Sequence, residues 1–274
     1  MFRLQDKILA SFKILTREIS FYLERCKLDS IRIDHKVGAS GSRERVTEID
    51  RAIERICVDF LRTHFPSIPV FAEEGYRRDH SVLDNQWVFI IDPIDGTSEF
   101  LRGSDEWAVS LAAVKDARPE VGLLFMPARK ITLWAVRGGA TGSDRSSILP
   151  EVKAGGEKLR LAVSPRQIKI SELSSLLKQS GLQLVPVPTL TQKVVRIILG
   201  EVDAAVYFPQ QGKSANVWDY AASALLVESI GGEITSLTGK PLPFRGDDVI
   251  HRDGWLATSG QCNHGELLKK LTKT

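Results

Sequence analysis

The stretch from Trp87 to Phe100 constrains the fold of this 274-residue chain more than any other part of the sequence. It opens with five apolar residues, a run typical of a strand that is buried on both faces. Because Pro93 disfavours helical backbone at the residue before it, we expect this strand to stop at Asp92. The pair Asp95-Gly96 then predicts a tight turn, and Thr97 is expected to open a helix.

Two carboxylates and a helix N-terminus are therefore predicted at the C-terminal end of a buried strand, where open α/β sheets bind their ligands. Close carboxylates repel each other unless a cation lies between them, and Mg²⁺ suits a set of oxygen ligands. The backbone N–H groups of Gly96 and Thr97 would point at a phosphate. The same residues also fit a plain strand–turn–helix in which Asp95 only caps the helix. This motif alone leaves both interpretations open.

Three further acidic motifs occur in the order Asp50, Glu73-Glu74 and Trp218-Asp219. Together with Asp92-Pro93-Ile94-Asp95-Gly96-Thr97, this ordered set resembles the signature of the inositol monophosphatase family of Mg²⁺-dependent, often lithium-sensitive phosphomonoesterases. The resemblance spans nearly the whole chain. It implies an α+β fold, a layered α-β-α-β-α sandwich with mixed and antiparallel sheets, and it favours an enzyme over the plain strand–turn–helix.

The resemblance also implies roles for individual residues. Two or three Mg²⁺ ions would be bound by four acids and one main-chain carbonyl, namely Glu73, Asp92, Ile94, Asp95 and Asp219. The catalytic residues would be Glu73 and Thr97, which act on the attacking water, and Asp50, which orients the threonine. The substrate would contact Asp95, Gly96, Thr97, Ser164, Lys193 and Asp219.

The composition is ordinary for a globular protein, with 43% hydrophobic and 26% charged residues. The net charge of +3 is not concentrated in a basic tract, so we expect no nucleic-acid polymer as a partner. No long apolar run opens the chain, from which we predict a cytoplasmic protein without membrane contact. The three cysteines are widely spaced and indicate neither a zinc site nor a redox pair.

Two amphipathic helices are predicted in the first half of the chain. Apolar residues recur at helical spacing over residues 2–27. The second helix is expected to begin at Thr47, with Asp50 at its third position in a close relative of the capping box, so helix capping alone would also explain this acid. Between them, residues 31–45 predict a short strand and a loop, the region that covers the active site in the family.

Strands are predicted in both halves. Three apolar runs, with loops at Pro119 and Pro127 between them, indicate an antiparallel meander over residues 107–114, 121–125 and 131–136. A loop at 137–158 separates this half, about 1–140, from a second half at 158–274. That half is predicted to alternate strands 159–164, 183–187, 204–208 and 255–258 with helices 171–180, 190–200, 216–230 and 266–271. We predict one catalytic unit over residues 1–274.

Different residues of the sequence favour different substrates. Inositol monophosphatases usually have Asn before Phe in the helix after Asp-Gly-Thr, whereas Glu99 here resembles the branch acting on 3′(2′),5′-bisphosphate nucleotides such as adenosine 3′,5′-bisphosphate. Further residues that favour this branch are Val163-Ser164, Lys193, Asn216 and Gly239-Lys240-Pro241-Leu242. Pro165 and residues 210–214 depart from its pattern. Inositol 1-phosphate and histidinol phosphate stay open, as does a non-catalytic anion-binding module on the same fold.

Basic side chains would have to meet the second phosphate of a bisphosphate. Lys193, in the first turn of its predicted helix, opposes the helix dipole, and a phosphate partner would explain it. Lys213 is the other candidate, and solvent exposure is the alternative for Lys193. Lys36 and Arg43 could reach a substrate from the covering loop, again with a solvated position as the alternative. The resemblance finally implies a homodimer.

Overall fold

The computed structural model describes residues 3–26, 31–37, 43–75, 81–144, 158–170, 181–208, 215–245 and 250–272. The α-helices in these ranges are numbered in chain order: α1 (Leu4–Arg25), α2 (Glu48–His64), α3 (Thr97–Phe100), α4 (Pro165–Ile168), α5 (Leu190–Ile198), α6 (Val217–Ser229) and α7 (His264–Thr272). Among the described residues, no helix combines the length and the apolarity needed to cross a membrane.

The strands form two large sheets and two small pairs. In chain order they are β1 (Ile33–Val37), β2 (Arg43–Thr47), β3 (Val70–Ala72), β4 (Trp87–Asp95), β5 (Ala108–Lys115), β6 (Arg118–Met126), β7 (Ile131–Val136), β8 (Thr141–Ser143), β9 (Arg160–Val163), β10 (Gln183–Pro186), β11 (Ala204–Tyr207), β12 (Ala215–Asn216), β13 (Glu233–Ser236), β14 (Ile250–His251) and β15 (Trp255–Thr258). The strand orders are β3-β4-β5-β6-β7-β8 and β10-β9-β11-β15-β13, with the pairs β1-β2 and β12-β14.

Helices and sheets alternate in five layers. Apolar residues of α1 and α2, such as Phe12 and Ile53, pack on one face of the six-stranded sheet. On its other face, α5 and α6 fill the space between the two sheets. Helix α7 covers the outer face of the five-stranded sheet, where Leu267 packs with Val206. The predicted α-β-α-β-α arrangement with mixed and antiparallel sheets is therefore confirmed.

The central strand differs from the prediction at its C-terminal end. Instead of stopping at Asp92, β4 continues to Asp95. Asp92 pairs with Ser110 and Asp95 pairs with Ala108, so one extra residue on β4 forms a bulge between these two pairs. The bulge accommodates Pro93, which has no N–H to donate to the ladder. Both acids are thus held on a rigid strand rather than on a loop.

Helix α6 packs closely on the six-stranded sheet, and its first turn carries Asp219. A Cβ at residue 122 of β6 would lie 2.9 Å from the carbonyl oxygen of Ala222. Gly122 therefore leaves room for the helix backbone itself. The small residues after Asp219 make the same approach possible from the helix side.

The remaining predicted elements are largely confirmed, with a few differences. The helix predicted over 2–27 is α1, the capped helix is α2, and the meander is β5–β7. Pro119, predicted in a loop, lies in β6 at a register shift. The sequence did not predict β2, β8, β12, β13, β14 or α4. The predicted helix over 171–180 and residues 145–157 of the predicted loop lie outside the described residues.

Candidate active site

Three aspartates from two distant parts of the chain meet beyond the end of β4. One carboxylate oxygen from each of Asp92, Asp95 and Asp219 lies within 4.8 Å of the other two. Asp92 is 1% exposed, and the other two are half-buried. The predicted set of aspartates is therefore brought together by the fold.

Backbone hydrogen bonds fix each of these aspartates. Asp92 Oδ1 accepts from the N of Ile94 at 2.9 Å, within the bulge of β4. Asp95 Oδ2 accepts from the N of Thr191 at 2.6 Å, in the first turn of α5. Asp219 lies at the third position of α6 and accepts from the N of the N-cap residue 216 at 2.6 Å. Because main-chain donors hold all three, their remaining oxygens point in defined directions.

The cluster has an excess of negative charge. Burial raises the pKa of Asp92 well above its usual value, and the charges of Glu73, Asp95 and Asp219 raise it further. Glu73 is also hydrogen-bonded to Asp92. Buried carboxylates in such a group are ionised together only when a cation offsets their repulsion. An all-oxygen set of this kind fits Mg²⁺.

Lys36 of β1 lies between the two adjacent glutamates. Its Nζ donates to Glu73 Oε1 at 2.8 Å and to Glu74 Oε1 at 2.7 Å, and its side chain is 19% exposed. Burial and the charge of Glu73 raise the pKa of Glu74 to about 8. The solvated alternative for Lys36 is therefore wrong. For Arg43, only the backbone is described.

Thr97 and Asp50 form the predicted hydrogen bond. Thr97 Oγ1 donates to Asp50 Oδ1 at 3.0 Å, and Thr47 donates to the other oxygen of Asp50 from both its N–H and its hydroxyl. Asp50 is 1% exposed, so it serves the capping box of α2 and the threonine at once. Gly96 precedes Thr97 with a φ of +100°, and a Cβ there would lie 2.7 Å from the Thr189 methyl group.

Lys193 is fully buried, which makes the solvent-exposed alternative wrong. Its Nζ donates to Ser164 Oγ at 2.8 Å and to the carbonyl of Val206 at 3.0 Å. Burial lowers the pKa of Lys193 to about 7, although Asp95 opposes that shift. Ser164 follows β9 at the C-terminal edge of the parallel strands, and in this arrangement its hydroxyl contacts Lys193.

Other predicted residues fall outside the site or outside the described part of the chain. Glu99 forms a local ion pair with Arg102 at 2.5 Å. Lys213 lies outside the described residues. Two residues that contact the site were missed by the sequence reasoning, Thr191 and Glu54. For Glu54, a spacing of four residues after Asp50 on the same helix was the available signal.

Comparison with known proteins agrees with this geometry. The model of the inositol monophosphatase family matches residues 5–274. Histidinol-phosphatase of Mycobacterium tuberculosis is 30% identical over 259 residues, 87% of this chain and 89% of the relative. Fructose-1,6-bisphosphatase/inositol-1-monophosphatase of Thermotoga maritima is 29% identical over 250 residues, 88% of each chain.

A nucleotidase and a solved structure are also similar to this chain. The 3′(2′),5′-bisphosphate nucleotidase CysQ of Escherichia coli K12 is 28% identical over 212 residues, 76% of this chain and 82% of the relative. The solved structure of a Thermotoga maritima IMPase superposes with a TM-score of 0.75 at 25% identity, over 97% of this chain and 96% of that one. With its acidic cluster and a family match over nearly its full length, the chain belongs to the inositol monophosphatase family and is a phosphoric monoester hydrolase.

Proposed function

We propose that this protein hydrolyses a small phosphate monoester with two or three Mg²⁺ ions held by Glu73, Asp92, Asp95, Asp219 and the Ile94 carbonyl. One observation carries the proposal: three aspartates whose oxygens lie within 4.8 Å of one another, each oriented by a backbone N–H. An anion-binding module would have no use for so many acids at the site, which disfavours the non-catalytic alternative.

The bound ions would supply Lewis acidity and lower the pKa of the attacking water. The chain's own residues then orient that water. Thr97 donates its hydroxyl hydrogen bond to Asp50, so its oxygen lone pairs are left to accept a hydrogen bond from the water and to orient it. Glu73, hydrogen-bonded to Asp92, would share the same task. The amides of Gly96 and Thr97 would bind the phosphoryl group, whose charge the helix N-terminus favours.

Among the possible substrates, we propose a 3′(2′),5′-bisphosphate nucleotide. Lys193 supports it: this buried amino group contacts a hydroxyl and a carbonyl, neither of which carries a charge, and lies in the field of Asp95. An anionic group of the substrate would add a second counter-charge to that of Asp95. The related proteins act, by their names, on several substrates, so inositol 1-phosphate and histidinol phosphate are the alternatives.

A substrate panel in the presence of Mg²⁺ tests this choice. We expect adenosine 3′,5′-bisphosphate to have a higher kcat/KM than inositol 1-phosphate or histidinol phosphate. Lys193→Met should lower kcat/KM for the bisphosphate by about ten- to a hundredfold, because a charge-assisted contact contributes roughly 1.5–3 kcal/mol. Lys169→Met, at an exposed lysine, is the matched control. A preference for inositol 1-phosphate, or an equal loss on all substrates, would contradict the bisphosphate assignment.

The family resemblance further supports a cytoplasmic homodimer that lithium inhibits by displacing Mg²⁺. The six-stranded sheet ends in a short outer strand, β8, whose edge a second copy of the chain could cover. Light scattering at working concentration checks the dimer, and a monomeric mass would rule it out.

A lithium titration of turnover checks the inhibition, and an enzyme indifferent to lithium would argue for a different metal occupancy.

A further inference from the structure

Helix α2 carries a second acid, the partly buried Glu54, on the same face as the fully buried Asp50. The two residues are four positions apart, which places their side chains beside each other on a helix. Asp50 contacts Thr97, while Glu54 contacts the turn that follows β3. One helix face therefore supports two separate parts of the candidate active site.

The Glu54 carboxylate accepts two backbone hydrogen bonds from that turn. Its Oε2 lies 2.6 Å from the N of Glu74, and the N–H of Gly75 donates to the same carboxylate. The approach is close, because a Cβ at Gly75 would lie 3.1 Å from Glu54 Oε1. On the other side, the N–H of Glu73 donates to the Ile91 carbonyl at 3.1 Å. The backbone at Glu73 is thus held between β4 and α2.

A buried carboxylate at this position is unfavourable unless it accepts hydrogen bonds from the turn. Burial raises the pKa of Glu54, the N–H groups of Glu74 and Gly75 lower it, and the charge of Glu73 raises it again. A buried negative charge beside other acids is costly, and its hydrogen bonds, together with the charge of Lys36, offset that cost. An ionised acceptor also makes shorter and stronger hydrogen bonds than a neutral one. Both effects indicate that Glu54 is a glutamate because it accepts hydrogen bonds from the turn.

We propose that Glu54 is a positioning residue: it clamps the backbone of the Glu73–Gly75 turn and so holds the Glu73 carboxylate toward Asp92 and the Mg²⁺ site. The inference rests on the proposed function, since it takes Glu73 as a metal ligand. With its backbone held on both sides, Glu73 has only its own side-chain rotamers left to adjust. Groups that orient a metal ligand in this way commonly change metal affinity when they are removed.

Calorimetric titration of Mg²⁺ into the substrate-free protein tests the clamp. Glu54→Met fills similar space without an acceptor and should raise the Mg²⁺ dissociation constant by about ten- to a hundredfold. Glu54→Gln keeps one neutral carbonyl oxygen for the two N–H groups and should raise the dissociation constant by a smaller factor, about three- to tenfold, because a neutral acceptor makes weaker hydrogen bonds than an ionised one. Asp59→Ala, which removes an exposed acid from the same helix, is the matched control and should bind Mg²⁺ like the unmodified chain.

Equal dissociation constants for the unmodified chain, Glu54→Met and the control would overturn the inference, whatever the thermal stability of the variants. If Glu54→Met shows no cooperative unfolding transition, Glu54→Gln decides: weaker Mg²⁺ binding than the control supports the clamp, and equal binding overturns it. An unmodified chain that neither binds Mg²⁺ nor hydrolyses phosphate monoesters would instead defeat the proposed function. The two failures are therefore distinguishable.

Discussion

Asp92→Asn and Asp219→Asn are each expected to lower kcat by at least about a hundredfold while the protein stays folded. Each change removes one carboxylate from a cluster whose oxygens lie within 4.8 Å of one another. An amide still accepts the backbone hydrogen bond that orients the side chain, but it is a poorer ligand for a divalent cation. Steady-state turnover of a generic phosphomonoester at saturating Mg²⁺ measures the loss.

The stability of the same variants separates a metal-binding role from a structural one. Burial and three neighbouring acids raise the pKa of Asp92 in the folded chain, so ionisation of Asp92 costs stability as the pH rises above the unfolded value near 4. Asparagine stays neutral, and without metal Asp92→Asn should therefore be as stable as the unmodified chain at neutral pH, or more so. Thermal unfolding in the presence of a chelator checks this expectation.

An exposed acid provides the matched control for the aspartate variants. Asp116→Asn, in the turn between β5 and β6, should change neither turnover nor Mg²⁺ dependence. Rates close to those of the unmodified chain in both Asp92→Asn and Asp219→Asn would contradict the metal assignment. Loss of cooperative unfolding in the metal-free variants would show instead that these acids hold the fold.

Thr97→Val is expected to lower kcat by about a hundredfold with little change in Mg²⁺ affinity. Valine has nearly the same shape but no hydroxyl, so the water loses an acceptor and Asp50 loses a donor. Asp50 keeps its two hydrogen bonds from Thr47, which preserves the start of α2. The kinetic loss should therefore appear without a comparable loss of stability.

Thr97→Ser is the matched control for the valine variant, because it retains the hydroxyl and removes only a methyl group. Its kcat should remain within about threefold of the unmodified value, since a methyl change outside the core costs little. Equal losses in Thr97→Ser and Thr97→Val would show that the hydroxyl is not the group whose loss lowers kcat. A fully active Thr97→Val would remove threonine from the reaction.

Local patterns in the sequence were sufficient to predict the parts of the site that depend on short-range structure. The buried strand before Asp92, the turn at Gly96 and the helix starts just before Asp50 and Asp219 all follow from neighbouring residues, and the structure has each of them. The ordered acidic motifs then indicated which distant residues would meet. That step depended on the family resemblance rather than on periodicity.

Features that depend on neighbouring elements were not predictable in the same way. The extension of β4 to Asp95 exists because β5 pairs on both sides of the bulge, and a single strand carries no sign of it. The burial of Lys193 requires β9 and β11 to supply its hydrogen-bond partners. Glu54 likewise has no visible role until the turn after β3 lies against α2. In each case tertiary packing overrides the local expectation for a proline, a lysine or a glutamate.

The central claim is that the aspartate cluster binds Mg²⁺, and calorimetric titration of Mg²⁺ into the substrate-free unmodified chain and Asp219→Asn tests it most directly. The claim predicts saturable binding to the unmodified chain and binding weaker by at least about tenfold in the variant, since each metal ligand contributes at least one charge-assisted contact. Asp116→Asn should match the unmodified chain. Saturable binding of equal strength in all three proteins, or no binding to the unmodified chain, would contradict it.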